Sequence, residues 1–70
     1  MDNVEIAAIF KTLGDGADKV RLWCDESLDY LTEIGTDSPD IERAFCLYVD
    51  LIRMAKRVRT EAWSRQKELS

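Results

Sequence analysis

The side chains that could do chemistry in this sequence are two cysteines and a row of carboxylates. The chain has 70 residues and no histidine, and Cys24 and Cys46 do not form a Cys-x-x-Cys pair. Histidine is the commonest general base and the commonest metal ligand, so a thiol here lacks its usual catalytic or metal-binding companion. We therefore expect no enzyme activity, no catalytic residue, no metal and no cofactor, and we interpret Cys24 as a small core residue.

Acidic residues in the first half of the chain recur at helical spacing and form an acidic ridge. Steps of three and four positions place them along one side of a helix, with a leucine at the centre and two aromatic residues at the edge. Such a surface could bind a basic groove of another protein with fast, electrostatically steered association. The alternative is a solvated face that keeps a small protein soluble. The predicted partner-binding residues are Asp15, Asp18, Leu22, Trp23, Glu26, Asp29, Tyr30 and Glu33.

Charge is distributed unevenly along the chain. Residues 1–50 carry a net charge of −8 and residues 51–70 a net charge of +4, which together give −4. The basic end could contact phosphates of a nucleic acid, or it could form ion pairs with the first helix, where a hairpin would bring Lys56 and Arg57 near Asp15 and Asp18. Because the net charge is negative and no helix-turn-helix or aromatic–basic motif occurs, nucleic-acid binding is the alternative interpretation. The candidate nucleic-acid contacts are Arg53, Lys56, Arg57 and Arg59.

Helices must position these side chains. Gly35 suits the backbone position after a helix, Ser38 suits the N-cap of the next helix, and Pro39 suits its first turn. We expect one domain over residues 1–70, with a helix over about 3–34, a turn at 35–38 and a helix over about 39–66. The sequence thus predicts an all-α antiparallel helical hairpin.

Gly14 and Gly16 leave the continuity of the first helix open. Two glycines inside a helix cost roughly 1 kcal/mol each relative to alanine, so the helix could break at 14–16 and give a three-helix bundle. The apolar heptad positions continue in phase across both glycines, which favours the hairpin. These heptad positions are Ile6, Phe10, Leu13, Ala17, Val20, Cys24, Ser27, Leu31 and Ile34.

The second helix has an apolar side that is too wide for one partner helix. It covers about half of the circumference, against a stripe of about 100° on an ordinary surface helix. A core in a chain this short rarely yields more than about 3–5 kcal/mol, so a second copy would complete it. We expect a homodimer that forms a four-helix bundle. The predicted dimer-interface residues are Phe45, Leu47, Tyr48, Leu51, Met54, Val58 and Trp63.

These features favour a small non-enzymatic protein–protein interaction module, a regulator or inhibitor that presents an acidic helical face. Phage-encoded inhibitors of host defence are one group of proteins of this size without a cofactor or catalytic set. The alternatives are a nucleic-acid-binding transcriptional regulator and a structural assembly subunit. The acidic stretch 1–5 does not resemble a signal peptide, and the longest uncharged apolar run, 44–49, is far below the ~18 residues of a membrane span. We expect a cytoplasmic location with free thiols and no membrane contact.

Overall fold

The computed structural model of the protein describes residues 1–35 and 37–70, which form two long helices packed against each other. Helix α1 spans Asn3–Ile34 and helix α2 spans Pro39–Leu69. No strand occurs within these described residues. The hairpin is 52 Å long and 15 by 14 Å in cross-section. The predicted all-α hairpin is confirmed, and α2 continues beyond the expected end near residue 66.

The two ends of α1 are formed by local contacts. The Oδ1 atom of Asp2 accepts a hydrogen bond from the backbone N–H of Glu5 at 2.9 Å, which satisfies one unpaired donor of the first turn. At the other end, the N–H of Gly35 donates to the carbonyl of Leu31 at 3.1 Å with a φ of 86°. Positive φ favours glycine, because any other side chain would be strained there, and this explains why α1 ends at this residue.

The start of α2 uses the backbone and proline geometry. Ser38 occupies the N-cap position, but its side chain makes no capping hydrogen bond, unlike the expectation from the sequence. Its carbonyl accepts from the N–H of Glu42 at 3.0 Å, and Pro39 occupies the first turn, where a missing N–H costs nothing. The predicted turn at 35–38 includes Thr36, which lies outside the described residues.

Helix α1 continues through both glycines of the Gly14-Asp15-Gly16 stretch. Gly14 is buried against α2, and a Cβ at this position would collide with the indole of Trp63. Gly16 faces open space. The first glycine therefore permits a close approach of the two helices, and it does not interrupt α1.

The fully buried part of the contact between the helices is narrow and consists mainly of small residues. Among the described residues, five apolar residues are buried, and the largest side chain with no exposure is a cysteine. The buried set is Ala7, Cys24, Ile52, Ala55 and Ala62. Small side chains let the helices approach closely, but they remove little apolar area from water, so this core contributes little to the free energy of folding.

The side of α1 that faces α2 differs from the predicted heptad stripe. Six of the nine stripe residues are buried or half-buried as expected, but Leu13, Val20 and Ile34 are exposed. The residues that follow the first two of these, Gly14 and Arg21, are buried and half-buried instead. The fit of Trp63 on Gly14 contributes to this rotation of α1, and it leaves an apolar row outside the hairpin contact.

Candidate functional site

The hairpin has two long faces, one on each side of the contact between the helices, and they differ in chemistry. The apolar face comprises exposed large side chains of both helices: Ile9, Leu13, Val20, Trp23, Tyr30, Ile34, Leu47, Leu51 and Met54. The charged face comprises Lys11, Asp15, Asp18, Leu22, Asp25, Asp29, Arg53, Lys56, Arg59 and Trp63. Steps of three or four positions keep each set in line along its helix.

The apolar face is continuous between the helices at Trp23. Trp23 of α1 lines one hollow of about 290 Å³ together with Leu47 and Leu51 of α2. Its ring also meets the ring of Tyr48 edge to face, with centroids 5.5 Å apart and planes at 68°. A second hollow, of about 400 Å³, extends toward the turn between Trp23, Tyr48 and Tyr30. The face is therefore one surface with two depressions that could receive side chains of a partner.

Few of the large apolar side chains are fully buried inside the hairpin. Among the described residues, twelve large apolar residues are exposed, whereas three of the five fully buried apolar residues are alanines. Monomeric proteins rarely expose contiguous apolar patches of more than a few hundred Å², and larger patches mark interaction sites. This imbalance makes the apolar face the strongest candidate for a binding surface in the described part of the chain.

On the charged face, Asp18 joins the two helices. Its Oδ1 atom accepts from Nη1 of Arg59 at 2.7 Å and from Nε of Arg21 at 3.2 Å. The hydrogen bond from Arg59 is the main reason why the pKa of Asp18 lies below its ordinary value, and Arg21 adds to the effect against a partial desolvation. The Arg59 guanidinium also lies 5.6 Å from the centre of the Trp63 ring, a cation–π contact.

Asp15 makes the neighbouring contact one helical turn away. Its carboxylate accepts from Nζ of Lys11 at 3.0 Å and from Nε1 of Trp63 at 3.1 Å. The hydrogen bond from Lys11 lowers the pKa of Asp15 most, and the indole N–H lowers it further. The N-terminal part of this face thus holds α1 and α2 together through polar contacts.

The structure separates the predicted acidic ridge into parts with different surroundings. Asp15 and Asp18 bond to residues of α2, so these two members of the ridge lie beside the second helix. Trp23 and Tyr30 belong to the apolar face. The remaining members, Leu22, Glu26, Asp29 and Glu33, are exposed on the outer side of α1, and within the described residues none of these three acids forms an ion pair.

The predicted dimer-interface set is also divided. Leu47, Leu51 and Met54 are exposed on the apolar face. Phe45, Tyr48 and Val58 are half-buried. Trp63 lies on the other side of the contact between helices, against Gly14. The contribution of α1 to the apolar face was not included in this set, although its residues Leu13, Val20 and Ile34 were visible in the heptad pattern.

Of the candidate nucleic-acid contacts, Arg53, Lys56 and Arg57 are exposed, and Arg59 is paired with Asp18. Within the described residues of one hairpin, Lys56 and Arg57 form no ion pair with the first helix, and Arg59 forms one instead. The reason is helical spacing: position 59 is in line with the buried Ile52, Ala55 and Ala62, whereas 56 and 57 point away from α1. The basic patch is therefore smaller than the sequence indicates.

The two thiols have opposite surroundings. Cys24 is completely buried between the helices, and desolvation raises its pKa, whereas Cys46 is exposed. Among the described residues, no group of three or more potential ligands is placed to hold a metal ion. Neither helix, over the residues described, contains a stretch long and apolar enough to cross a bilayer.

Comparison with protein-family models, with curated proteins and with solved structures finds no match to this chain.

Proposed function

We propose that this chain is a non-enzymatic protein–protein interaction module of the cytoplasm, a small regulator or inhibitor that acts as a homodimer. The observation that carries the proposal is the apolar face, which extends along both helices of a hairpin with a core of mostly small residues. Full burial of one large aliphatic or aromatic side chain is worth about 1.5–3 kcal/mol. Pairing of two apolar faces would add to the stability that the contact inside one hairpin provides.

Two hairpins that meet through their apolar faces would form a four-helix bundle. The outer side of α1 would stay accessible in such a bundle, because Leu22, Asp29 and Glu33 point away from both α2 and the apolar face. Glu26, the remaining acid of this surface, lies at the edge of the hollow beside Trp23 and Tyr30. We propose this acidic surface as the contact for a partner protein. Its negative charge would steer association with a basic partner surface.

The test of the homodimer uses two leucines of almost equal exposure on different faces. Leu47, on the apolar face, is 51% exposed, and Leu22, on the charged face, is 47% exposed. In light scattering at micromolar concentration, we expect wild type and Leu22→Lys to have twice the chain mass of 8.1 kDa. We expect Leu47→Lys to have the mass of one chain. A monomeric wild type, or equal effects of the two substitutions, would contradict the homodimer.

The test of the partner surface uses the double variant Leu22→Lys/Asp29→Lys, which changes only exposed positions. We expect it to remain a folded dimer. We also expect that it no longer binds a protein that wild type captures from a lysate of the native host and that mass spectrometry identifies. Equal capture by both proteins would show that the acidic surface does not bind the partner. For the nucleic-acid alternative, we expect no salt-sensitive gel shift, and a shift that disappears in Arg53→Glu/Arg57→Glu would favour that alternative.

A further inference from the structure

We infer that the apolar face pairs with the same face of a second copy in an antiparallel orientation, with the turn of each hairpin over the open end of the other. This inference rests on the proposed homodimer and specifies its geometry. In this arrangement a two-fold axis crosses the middle of the apolar face, so that α1 packs on α1 of the second copy and α2 on α2. Residue i of one copy then meets residue j of the other, and j meets i.

The apolar row of α1 is symmetric about a point between residues 21 and 22. An antiparallel two-fold axis at this point places Ile9 opposite Ile34, Leu13 opposite Tyr30, and Val20 opposite Trp23. In the same row the two small residues, Gly16 and Ser27, also face each other. Both aromatic residues thus meet an aliphatic residue, and large residues do not meet small ones, which gives a contact of even thickness.

The apolar row of α2 has its centre at the same height along the hairpin. It runs from Ala44 to Val58 with its midpoint at Leu51, and Leu51 shares a hollow with Trp23, which lies near the midpoint of the α1 row. The same axis therefore places Leu51 against Leu51 of the second copy, and Leu47 near Met54 of the second copy. One axis position satisfies both helices.

A parallel arrangement would fit the surface poorly. A two-fold axis along the hairpin would stack α1 of one copy on α2 of the other at the same height. Ile9 and Leu13 would then lie over the open end of α2, where the row of Leu51 and Met54 continues into Glu61 and Arg65. Apolar residues would meet charged ones along that end, and the charges would lose hydration without gaining a partner.

The distribution of charge along the hairpin also favours the antiparallel pair. Residues 22–51, the half on the turn side of the axis, hold eight acids and one base, a net charge of −7. The open half, residues 1–21 and 52–70, holds six acids and nine bases, a net charge of +3. A parallel pair would bring two halves of charge −7 together across hairpins 15 Å wide, which is less than two Debye lengths of ~8–10 Å each. An antiparallel pair places each negative half over a positive one.

Distances between spin labels on two copies test the orientation. Cys46→Ser removes the exposed thiol, Cys24 is buried, and a single cysteine is then introduced by Asp37→Cys at the turn or by Asp50→Cys near the axis. At 1.5 Å per helical residue, the antiparallel axis separates the two turn labels by about 40 Å, whereas a parallel pair keeps them within about 25 Å. The labels at position 50 lie within about 30 Å of each other in both arrangements and report the dimer itself.

We expect a short distance at position 50 and a turn-to-turn distance above about 30 Å. Short distances at both positions would overturn the antiparallel orientation and leave the homodimer standing. The lack of any distance between copies at position 50, with a mass of one chain for the labelled protein, would overturn the homodimer and with it this inference. If the apolar face instead serves a monomer to bind a different protein or a lipid vesicle, the labelled protein will be monomeric and will show no distance at position 50.

Discussion

The indole of Trp63 lies against the backbone of Gly14, in the space that any Cβ at position 14 would need. Glycine at this position lets two long helices approach closely, and the indole N–H donates a hydrogen bond to Asp15, the next residue of α1. One aromatic side chain therefore joins α1 and α2 in the open half of the hairpin, both by packing and by a hydrogen bond.

Alanine substitution at the two helical glycines should therefore have opposite effects. We expect Gly14→Ala to reduce the free energy of unfolding by about 1–3 kcal/mol, because the new methyl group displaces Trp63. Gly16 faces open space within the hairpin and only the small Ser27 across the proposed dimer, so Gly16→Ala should raise the free energy of unfolding by about 1 kcal/mol through helix propensity. Urea denaturation followed by circular dichroism measures both. The cost of Gly14→Ala should diminish in a Trp63→Ala background, and a cost that persists there would refute this explanation.

The ion pair of Asp18 with Arg59 should make stability depend on acidity. Because the folded-state pKa of Asp18 is below the ordinary 3.8, the pair stabilises fully above that pH, and its contribution is lost as the pH falls through the folded-state pKa. We expect Asp18→Asn to lower Tm near neutral pH and to match wild type in strong acid. A double-mutant cycle with Arg59→Met isolates the pair. A coupling that is the same at neutral and strongly acid pH would contradict this assignment.

The two thiols should react at very different rates. We expect an aromatic disulfide reagent to modify one thiol per chain rapidly in the native protein, since Cys46 is exposed and Cys24 has no exposure. The raised pKa of Cys24 lowers its thiolate fraction and slows it further. In Cys46→Ser, the rapid phase should disappear, and the remaining thiol should react at the rate at which the helices separate. Rapid reaction in that variant would mean that the helices separate readily.

Complementary charges across the proposed two-fold axis should restore pairing. Leu47→Lys and Met54→Glu each place a charge in the apolar face, so each variant alone should have the mass of one chain. Mixed in equal amounts, the two should form a heterodimer, because position 47 of one copy lies near position 54 of the other in the antiparallel pair. Light scattering of the mixture measures this, and salt should weaken the heterodimer. A mixture that remains monomeric would argue against the opposed positions.

The ends of the helices were predictable because their causes are local. Gly35 ends α1 through its positive φ, and Pro39 begins α2 through its restricted backbone, so a few neighbouring residues suffice. The side of α1 that packs on α2 was less predictable, because it depends on the fit between Gly14 and Trp63. The hydropathy of glycine does not indicate whether it is buried. The heptad pattern combined residues that face α2 with residues of the apolar face, because both sets are apolar.

The partners of the acids lay beyond the reach of local patterns. Asp18 bonds to a residue 41 positions away, and Asp15 bonds to one 48 positions away. The register of a hairpin brings α2 near these two acids, but it does not show that Arg59 and Trp63, and not Lys56 and Arg57, are their partners. Expectations for Asp29 and Glu33, which stay on the outer side of α1, needed only the periodicity of one helix.

The alanine-rich contact inside the hairpin has a consequence for dosage. If most of the apolar burial belongs to the pair of chains, folding and pairing become one event, and the folded fraction rises with the concentration of the chain. A few molecules in a cell would then be largely unfolded and open to proteolysis, whereas a burst of synthesis would produce stable dimers. A twofold rise in expression would then raise the amount of active protein more than twofold.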